Sequence, residues 1–325
     1  MTMRGSRRSP RFSGGVEPRR CRPEAGDRRR AGQLRRLSRG PGLASLVAVL
    51  AVLALPSRSA AQAPTFSSGI EAVRVDVLVT ERGLPVRGLQ PTDFEILDNG
   101  VPQVVDLFSF EQLPVNAILS LDMSDSVAGE RMAHLREAGH ALLNALTPSD
   151  QAALVTFNHM VVLAQGLTSD FRAVRRALSR GQAFGHTSLV DATHTSMLLG
   201  EGDAGRSLVI VFSDGVDTSS WLTPDAVIET ARRSDAVVYG VSAGSLPAAQ
   251  FLRELTRATG GSLIEVSSTK DLGATFLRVL DEFRQRYLLS YSPSGVSRDG
   301  WHRIEVRVKR RGVTVQARPG YLAGR

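Results

Sequence analysis

The sequence predicts an α/β protein: a doubly wound, mostly parallel sheet, flanked by a small β domain built from both ends of the chain. Between residues 113 and 285, short apolar runs alternate with amphipathic helical segments, which is the pattern of a parallel sheet covered by helices on both faces. Residues 71–110 and 286–318 contain strand and turn patterns only. Each is too short to bury a core alone, so we expect the two to pack together, with the α/β unit inserted between them.

The 325-residue chain divides accordingly, and its 42% of hydrophobic residues is ample for a globular core. The predicted parts are a basic leader at 1–63, an N-terminal β segment at 64–112, an α/β domain at 113–285 and a C-terminal β segment at 286–325.

The basic character of the chain belongs to its leader. Residues 1–63 hold 14 of the 40 basic residues and 3 of the 32 acidic ones, so the rest carries a formal net charge of −3. An apolar run at 43–55 follows the arginines, and Ala61-Gln62-Ala63 has the small-x-small pattern of a cleavage site. The leader predicts export to an extracytoplasmic location, periplasmic or secreted. Either it is cleaved, or the true start lies downstream, or residues 43–55 remain as an anchor, although a membrane span needs about 20 residues.

Composition excludes several function classes. The only cysteine, Cys21, lies in the leader, so the rest of the chain has neither a disulfide nor a thiolate zinc site. No phosphate-binding loop is present, and no basic patch interleaved with aromatic residues indicates nucleic-acid binding. We therefore expect no nucleic-acid partner, and no membrane contact apart from the possible anchor.

The N-terminal β segment begins with an alternating pattern. Apolar and polar residues alternate over 72–79, as in a half-buried strand. Residues 94–100 and 101–108 then predict two strands joined at Asn99-Gly100, a dipeptide that readily adopts positive φ at both central positions of a hairpin turn.

Strands and helices alternate from residue 115 onward. A strand at 115–121 precedes a helix at 130–146, whose apolar residues fall on one face: Met132, Leu135, Leu142, Leu143 and Leu146. Further predicted strands are 151–158, 161–164, 207–213, 236–241 and 262–266, and further predicted helices are 171–180, 188–199, 224–233, 248–259 and 272–284.

The C-terminal segment returns to strands, at 287–291, 302–309 and 313–317. Arg310-Arg311-Gly312 is typical of a hairpin turn, so we expect the last two strands to pair.

Polar residues cluster where the central strands end. Asp122, Ser124 and Ser126 directly follow one apolar strand, Asp214 follows another, and Thr187 precedes a helix between them. Ligands of open α/β sheets collect beyond the carboxyl ends of the strands. Two carboxylates and three hydroxyls form an all-oxygen set, which suits Mg²⁺, Mn²⁺ or Ca²⁺ better than zinc. Asp-x-Ser-x-Ser alone also caps helices, so the prediction depends on all five residues converging.

The order and spacing of these five residues resemble the metal-ion-dependent adhesion site of von Willebrand factor type A domains. The resemblance implies that Ser124, Ser126 and Thr187 touch the cation, while Asp122 and Asp214 act through water and one position stays open for a partner's carboxylate. Together with the export predicted from the leader, it implies a non-enzymatic binding or adhesion module whose partner is a protein presenting an Asp or Glu side chain. With its flanking β segments, the chain also resembles a group of exported bacterial proteins related to this family and well represented in Acidobacteria.

Two alternatives remain open. The run 240–244 matches the Gly-x-Ser-x-Gly nucleophile elbow of serine hydrolases, between a predicted strand and helix, and His302 is the only histidine downstream. A secreted hydrolase using Ser242 is therefore one alternative. A scaffold whose metal only stabilises the fold is the other.

The other polar motifs favour ordinary loops. The Gly-x-Gly-x-x-Gly match at 200–205 precedes a strand instead of following one, contrary to a dinucleotide-binding loop. Asp125, Asp217 and His186 are interpreted as solvated loop residues, and the remaining histidines have no zinc-binding spacing.

Overall fold

The computed structural model describes residues 72–109, 113–201, 205–243 and 246–324. Its strands are β1 (Val73–Glu81), β2 (Leu84–Pro85), β3 (Phe94–Asp98), β4 (Val101–Gln103), β5 (Leu107–Ser109), β6 (Val115–Asp122), β7 (Gln151–Phe157), β8 (Val161–Thr168), β9 (Arg206–Ser213), β10 (Val237–Ser242), β11 (Leu263–Glu265), β12 (Tyr287–Tyr291), β13 (Gly300–Val308), β14 (Thr314–Gln316) and β15 (Gly320–Ala323). Its helices are α1 (Glu130–Ala145), α2 (Phe171–Arg180), α3 (Leu189–Gly200), α4 (Pro224–Arg233), α5 (Leu246–Thr259) and α6 (Leu272–Arg284).

The predicted leader, with its candidate anchor at 43–55 and its Ala61-Gln62-Ala63 site, lies outside the described residues. Among the residues that are described, no helix combines the length and the apolar character needed to cross a bilayer.

Six strands form the central sheet, in the order β11-β10-β9-β6-β7-β8. Every neighbouring pair is parallel except β7 with β8, which is antiparallel. β6 and β9 lie in the middle, and all eight residues of each are buried, as expected for strands covered on both faces. The predicted α/β fold with a mostly parallel sheet is confirmed.

Helices cover both faces of this sheet and form a separate apolar core on each. One core joins α1, α2 and α6 to the sheet through residues such as Leu135 and Phe276. The other joins α3, α4 and α5 through residues such as Val190 and Leu252. The apolar face predicted for the helix at 130–146 is confirmed, because all its members are buried: Met132, Leu135, Leu142, Leu143 and Leu146.

The first and the last of the described strands pair with each other in two antiparallel sheets. One has the order β14-β1-β12-β5, with β2 also paired to β1, and the other has the order β15-β13-β3-β4. N-terminal strands lie beside C-terminal ones in both, with Val75 opposite Leu289 and Ile96 opposite Val306. Apolar side chains of both sheets form a third core, so we call the pair the β sandwich. The α/β unit leaves this sandwich after β5 and returns to it at β12, and these two strands are neighbours.

The β segments differ from the sequence prediction in their strand partners. The Asn99-Gly100 turn is confirmed, with φ of 48° and 83°, but the strand predicted after it splits into β4 and β5, which belong to different sheets. The predicted hairpin around Gly312 is wrong, because β13 pairs with β3 and β15 while β14 pairs with β1. The sequence pattern also did not indicate β15. β13 and β14 both contribute apolar side chains to the sandwich core, but they do so from opposite sheets.

Charged residues join the β sandwich to the α/β unit. Arg206, at the start of β9, pairs with Asp76 of β1 and lies over the ring of Phe283, 4.6 Å from its centroid. Arg286, between α6 and β12, is fully buried, and its Nε donates to the hydroxyl of Tyr239 at 3.1 Å. Buried charges are costly unless they are paired and hydrogen-bonded. These contacts therefore favour one relative orientation of the β sandwich and the α/β unit.

Asp150 fixes the end of β6 that lies opposite Asp122. Its carboxylate accepts hydrogen bonds from the backbone N–H of Val115 at 2.9 Å and of Thr147 at 2.7 Å, and it pairs with Arg284 at 2.7 Å. Burial by itself raises the pKa of Asp150, but these donors outweigh it and hold the pKa below its ordinary value. The stability that this group contributes is therefore present above an ordinary pKa of about 4 and is lost as pH falls through the lower pKa of the folded state.

We expect Asp150→Asn to lower the free energy of unfolding at neutral pH by about 1–3 kcal/mol, because buried donors lose a charged acceptor. The difference from wild type should shrink as pH falls below about 4, where the unfolded chain takes up this proton, and should be lost as pH falls through the lower pKa of the folded state. Urea unfolding followed by circular dichroism measures both effects, with Glu137→Gln, an exposed position on α1, as the control. Equal stabilities at neutral pH would contradict this role for Asp150.

Candidate metal centre

The five predicted residues lie on three segments at one edge of the central sheet. Asp122 is the last residue of β6, and Asp214 follows directly after β9. These strands are parallel neighbours with Leu121 opposite Phe212, so their carboxyl ends meet. Thr187 lies immediately before the N-cap residue of α3, at the same edge.

Asp122 is fully buried at the base of this site. Its Oδ1 accepts a hydrogen bond from the backbone N–H of Ser124 at 2.9 Å, and its Oδ2 accepts one from the hydroxyl of Ser213 at 2.6 Å. Burial raises the pKa of Asp122 to about 6; the bonds from Ser213 and Ser124 oppose this rise, and the charge of Asp214 adds to it. The protein alone therefore stabilises the ionised form of this carboxylate poorly.

Ser126 connects the Asp122 loop to Asp214. The hydroxyl oxygens of Ser124 and Ser126 are 3.0 Å apart, and Ser126 donates to Asp214 Oδ1 at 2.5 Å. The other oxygen of Asp214 is 2.6 Å from a guanidinium nitrogen of Arg131. Both serines and Asp214 thus form a continuous chain of polar contacts.

Thr187 lies beside a small space next to Gly215, close to the other residues of the site. A Cβ atom placed on Gly215 would lie 3.1 Å from Thr187 Oγ1, 3.7 Å from Ser126 Oγ and 3.9 Å from Asp122 Oδ2. One point is therefore within 4 Å of oxygens from two of the three segments, and the third segment places Gly215 there, whose missing side chain leaves the point open. Thr187, Ser126 and Asp122 border this space, and Ser124 and Asp214 both contact Ser126, so the five predicted residues lie close together.

The donor set fits a small, hard cation. Mg²⁺ in proteins is bound through one or two carboxylates and leaves several positions to water or ligand. The site offers two carboxylates and three neutral hydroxyls, with neither sulfur nor imidazole among them. Within the part of the chain that the structure describes, no three His, Cys, Asp or Glu side chains group so as to hold a metal, so a site here has to use hydroxyl oxygens.

Backbone hydrogen bonds hold the three segments in place. The amides of Thr218 and Ser219 donate to the carbonyl of Thr187 at 2.9 and 3.1 Å, and the amide of Asp125 donates to the carbonyl of Gly185 at 3.0 Å. Each segment is thus tied to another through its main chain. The arrangement of the oxygens does not depend on side-chain contacts alone.

Asp217 differs from its interpretation as a solvated loop carboxylate. It is partly buried, and its Oδ2 accepts from the backbone N–H of Val190 at 2.8 Å and from the hydroxyl of Ser220 at 2.6 Å. It therefore caps the first turn of α3 and ties the loop after Asp214 to that helix. Asp125 and His186 are exposed, as predicted.

Sequence reasoning missed two residues that contact the aspartates. Ser213 places a hydroxyl at the end of an apolar strand, directly before Asp214, and this was a usable signal. Arg131 lies in the first turn of α1, where the helix dipole disfavours a cation. That unfavourable position is the only feature of the sequence that could have indicated a role for Arg131.

The structure does not bring Ser242 and His302 together. Ser242 ends β10 of the central sheet, whereas His302 is fully buried in the β sandwich. There the Nδ1 of His302 is 2.8 Å from Asp98 Oδ1 and 3.1 Å from the hydroxyl of Tyr321. No hydrogen bond between described residues links His302 to Ser242.

A doubly wound sheet with these five oxygen-bearing side chains at its carboxyl edge defines a class of α/β binding domains. Comparison with known families agrees: residues 117–217 match the model of the von Willebrand factor type A domain. The α/β unit of this chain is therefore a von Willebrand factor type A domain. Domains of this family often mediate protein–protein interaction or adhesion.

The chain is also similar to solved structures of bacterial proteins. An aerotolerance-related membrane protein from Bacteroides fragilis is 14% identical with a TM-score of 0.44, over 53% of this chain and 99% of that chain. The von Willebrand factor domain of a type V pili tip protein from Porphyromonas gingivalis is 12% identical with a TM-score of 0.44, over 52% and 94%. The PilB minor pilin from Streptococcus sanguinis is 13% identical with a TM-score of 0.43, over 54% and 62%.

Asp122 gives the cation-free protein a pH-dependent stability. Its pKa is raised from 3.8 to about 6 in the folded state, so the folded protein binds this proton more tightly than the unfolded chain does. The stability that comes from the proton is fully present below the ordinary pKa and is lost as pH rises through about 6.

We therefore expect Asp122→Asn to make the protein more stable than wild type at pH 7.5 in EDTA. The amide keeps the shape of the carboxylate, still accepts from Ser124 and can donate to Ser213, but it carries no buried charge. The gain should reach at most about 3 kcal/mol, which corresponds to two pKa units, and should vanish near pH 4. Urea unfolding at both pH values measures it, with exposed Asp125→Asn as control, and a difference that does not change with pH would rule out this origin.

Proposed function

We propose that this chain is an exported, non-enzymatic binding protein that captures an acidic side chain of a protein partner through a divalent cation. The preferred cation is Mg²⁺, with Mn²⁺ or Ca²⁺ as alternatives. The residues that would hold the cation are Asp122, Ser124, Ser126, Thr187 and Asp214. The observation that carries the proposal is the point beside Gly215, which lies within 4 Å of oxygens of Thr187, Ser126 and Asp122.

Charge balance explains why such a site binds an acidic group. When bound, Mg²⁺ supplies an electrophilic position that accepts a carboxylate oxygen. Ser124, Ser126 and Thr187 contribute neutral oxygens, so they leave much of the positive charge uncompensated. Asp214 orients the hydroxyl of Ser126, and Asp122 orients the Ser124 loop through its backbone N–H, so the donors are positioned before any ligand arrives.

An exposed aromatic residue on the same rim supports a protein partner. Trp221 is 95% exposed, yet its backbone N–H and that of Leu222 both donate to the carboxylate of Asp191 at 2.9 Å. The loop after Asp214 is thereby held in a conformation that presents an indole ring to solvent. Tryptophan is enriched among the residues that carry most of the energy of protein interfaces, because it buries a large area with few rotatable bonds.

Export rests on the leader, whose arginines, apolar run and small-x-small site are typical of a signal peptide or anchor. Membrane contact then arises only if residues 43–55 are retained. Since the only cysteine is Cys21, the remaining chain needs no disulfide to fold after export. The grouping with exported acidobacterial proteins stays a prediction.

A purely structural role for the cation is the alternative that the burial of Asp122 favours, because a bound cation would neutralise a carboxylate that the protein alone leaves unstable. Chelation would then lower the melting temperature without changing any interaction. The hydrolase alternative needs Ser242 to meet a histidine, and His302 is bonded to Asp98 in the β sandwich.

We expect Asp122→Ala and Thr187→Val each to reduce Mg²⁺-dependent partner capture at least about tenfold, because the first removes the carboxylate that orients the Ser124 loop and the second removes an oxygen that would bind the cation. Immobilised protein is incubated with an envelope extract in MgCl₂, and the proteins eluted by EDTA are quantified. Ser242→Ala is the control and should capture as wild type does.

Two results would contradict the proposal. If chelation lowers the melting temperature of wild type but leaves capture unchanged, the structural role is correct. If Ser242→Ala instead abolishes hydrolysis of a model ester while Asp122→Ala does not, the protein is a hydrolase.

We expect Trp221→Ala to leave the melting temperature and the Mg²⁺ affinity unchanged but to weaken partner capture by about tenfold, as loss of an interface anchor does. The matched control is Trp301→Ala, which removes the other tryptophan, on β13 of the sandwich. Equal loss of capture in both variants would show that the effect is not specific to this rim.

A further inference from the structure

Arg131 makes a contact at the candidate metal centre that a cation would disturb. Its guanidinium donates to Asp214 Oδ2 at 2.6 Å and to the backbone carbonyl of Ser126 at 3.2 Å. The side chain of Asp214 is fully buried, whereas that of Arg131 is 52% exposed. With Ser126 on Oδ1, both oxygens of Asp214 are occupied by protein donors.

The position of Arg131 is unfavourable for the helix that carries it. Gly129 is the N-cap of α1, so Arg131 is the second residue of the helix, where the positive end of the helix dipole repels a cation. The N-cap also offers no side chain to bind the free amides there. Asp214 is the contact that compensates for this placement, which points to a role at the site and not in the helix.

The formal charges of Asp122, Asp214 and Arg131 indicate what that role is. Asp122 and Asp214 carry two negative charges, and Arg131 leaves a net charge of −1. A divalent cation in the same space changes the sum to +1, which one carboxylate neutralises. A carboxylate has two oxygens, and a guanidinium binds carboxylate oxygens with strong, directional hydrogen bonds.

We infer that Arg131 is a specificity residue of this site with two successive partners. Without a cation, Arg131 serves as the counter-ion of Asp214 and competes with cation binding. With the cation in place, Arg131 releases Asp214 and binds the second oxygen of the partner's carboxylate, whose first oxygen occupies the open coordination position. The inference rests on the proposed function and adds that the ligand is a carboxylate read at both oxygens.

Removal of Arg131 should therefore change the two binding steps in opposite directions. Cation affinity should rise, because Asp214 loses its competitor, and carboxylate affinity should fall, because one of its two contacts is gone. An arginine that only stabilises the helix or the loop would give no tighter cation binding when it is removed. The opposite signs separate a role in recognition from a role in stability.

The test uses the full chain, and the first probe is MgCl₂ alone. Calorimetric titration at pH 7.5 compares wild type, Arg131→Gln and Arg172→Gln. Arg172 is a matched control, because it is also the second residue of a helix, α2, and is also exposed. We expect Arg131→Gln to bind Mg²⁺ about five- to tenfold more tightly than wild type and Arg172→Gln to bind as wild type does.

The second probe is a capped peptide whose only charged residue is one Asp, compared with its Asn counterpart in saturating MgCl₂. Wild type should prefer the Asp peptide, and Arg131→Gln should lose about tenfold of that affinity. Arg131→Lys retains the charge without the planar fork, so it should restore the competition with Mg²⁺ but only part of the peptide affinity. It also serves as the test variant if Arg131→Gln does not fold.

The outcomes separate this inference from the function on which it rests. Equal Mg²⁺ affinity in wild type and Arg131→Gln overturns the role of Arg131 and leaves the proposed function standing. Mg²⁺ binding by Arg131→Gln alone supports the counter-ion role and overturns the function proposed for the natural chain. No Mg²⁺ binding by any variant overturns both.

Discussion

The parallel pairing of β6 with β9 is the constraint on which the site depends. It sets Leu121 opposite Phe212, and so brings Asp122 and Asp214 to one edge although they are 92 positions apart in the chain. Both strands are buried along their whole length, so the pairing is held by the two apolar cores on either face of the sheet. Because side chains alternate in direction, a slip of one residue would turn Asp122 away from the rim.

The arrangement of oxygens at the site is unfavourable for the stability of the fold. Asp122 is buried with its pKa raised, and Asp214 requires both Ser126 and Arg131 to satisfy its oxygens. Groups that are unfavourable for the fold alone, gathered in one place, are typical of functional sites. Here the local cost is offset by the apolar cores beneath the site.

The β sandwich constrains how the α/β unit is attached. Since the chain leaves through β5 and returns through its neighbour β12, the inserted unit is attached at two adjacent points. The pair Arg206–Asp76 and the buried Arg286 add polar contacts that an apolar junction would not specify. Such contacts favour one arrangement of the two parts, because another would break the Arg206–Asp76 pair and remove the hydrogen bond of Arg286 to Tyr239.

Local pattern was sufficient to predict the apolar strands before Asp122 and Asp214, the buried face of α1 and the Asn99-Gly100 turn. These features depend on the spacing of residues along the chain, which can be read from the sequence alone. Strand partners are different, because alternation shows that a strand buries one face but not which strand lies beside it. For that reason the sequence misled on the strands around Gly312, and only the tertiary structure decided that they enter opposite sheets. The same holds for Ser213 and Arg131, because contacts across the rim exist only after the sheet has formed.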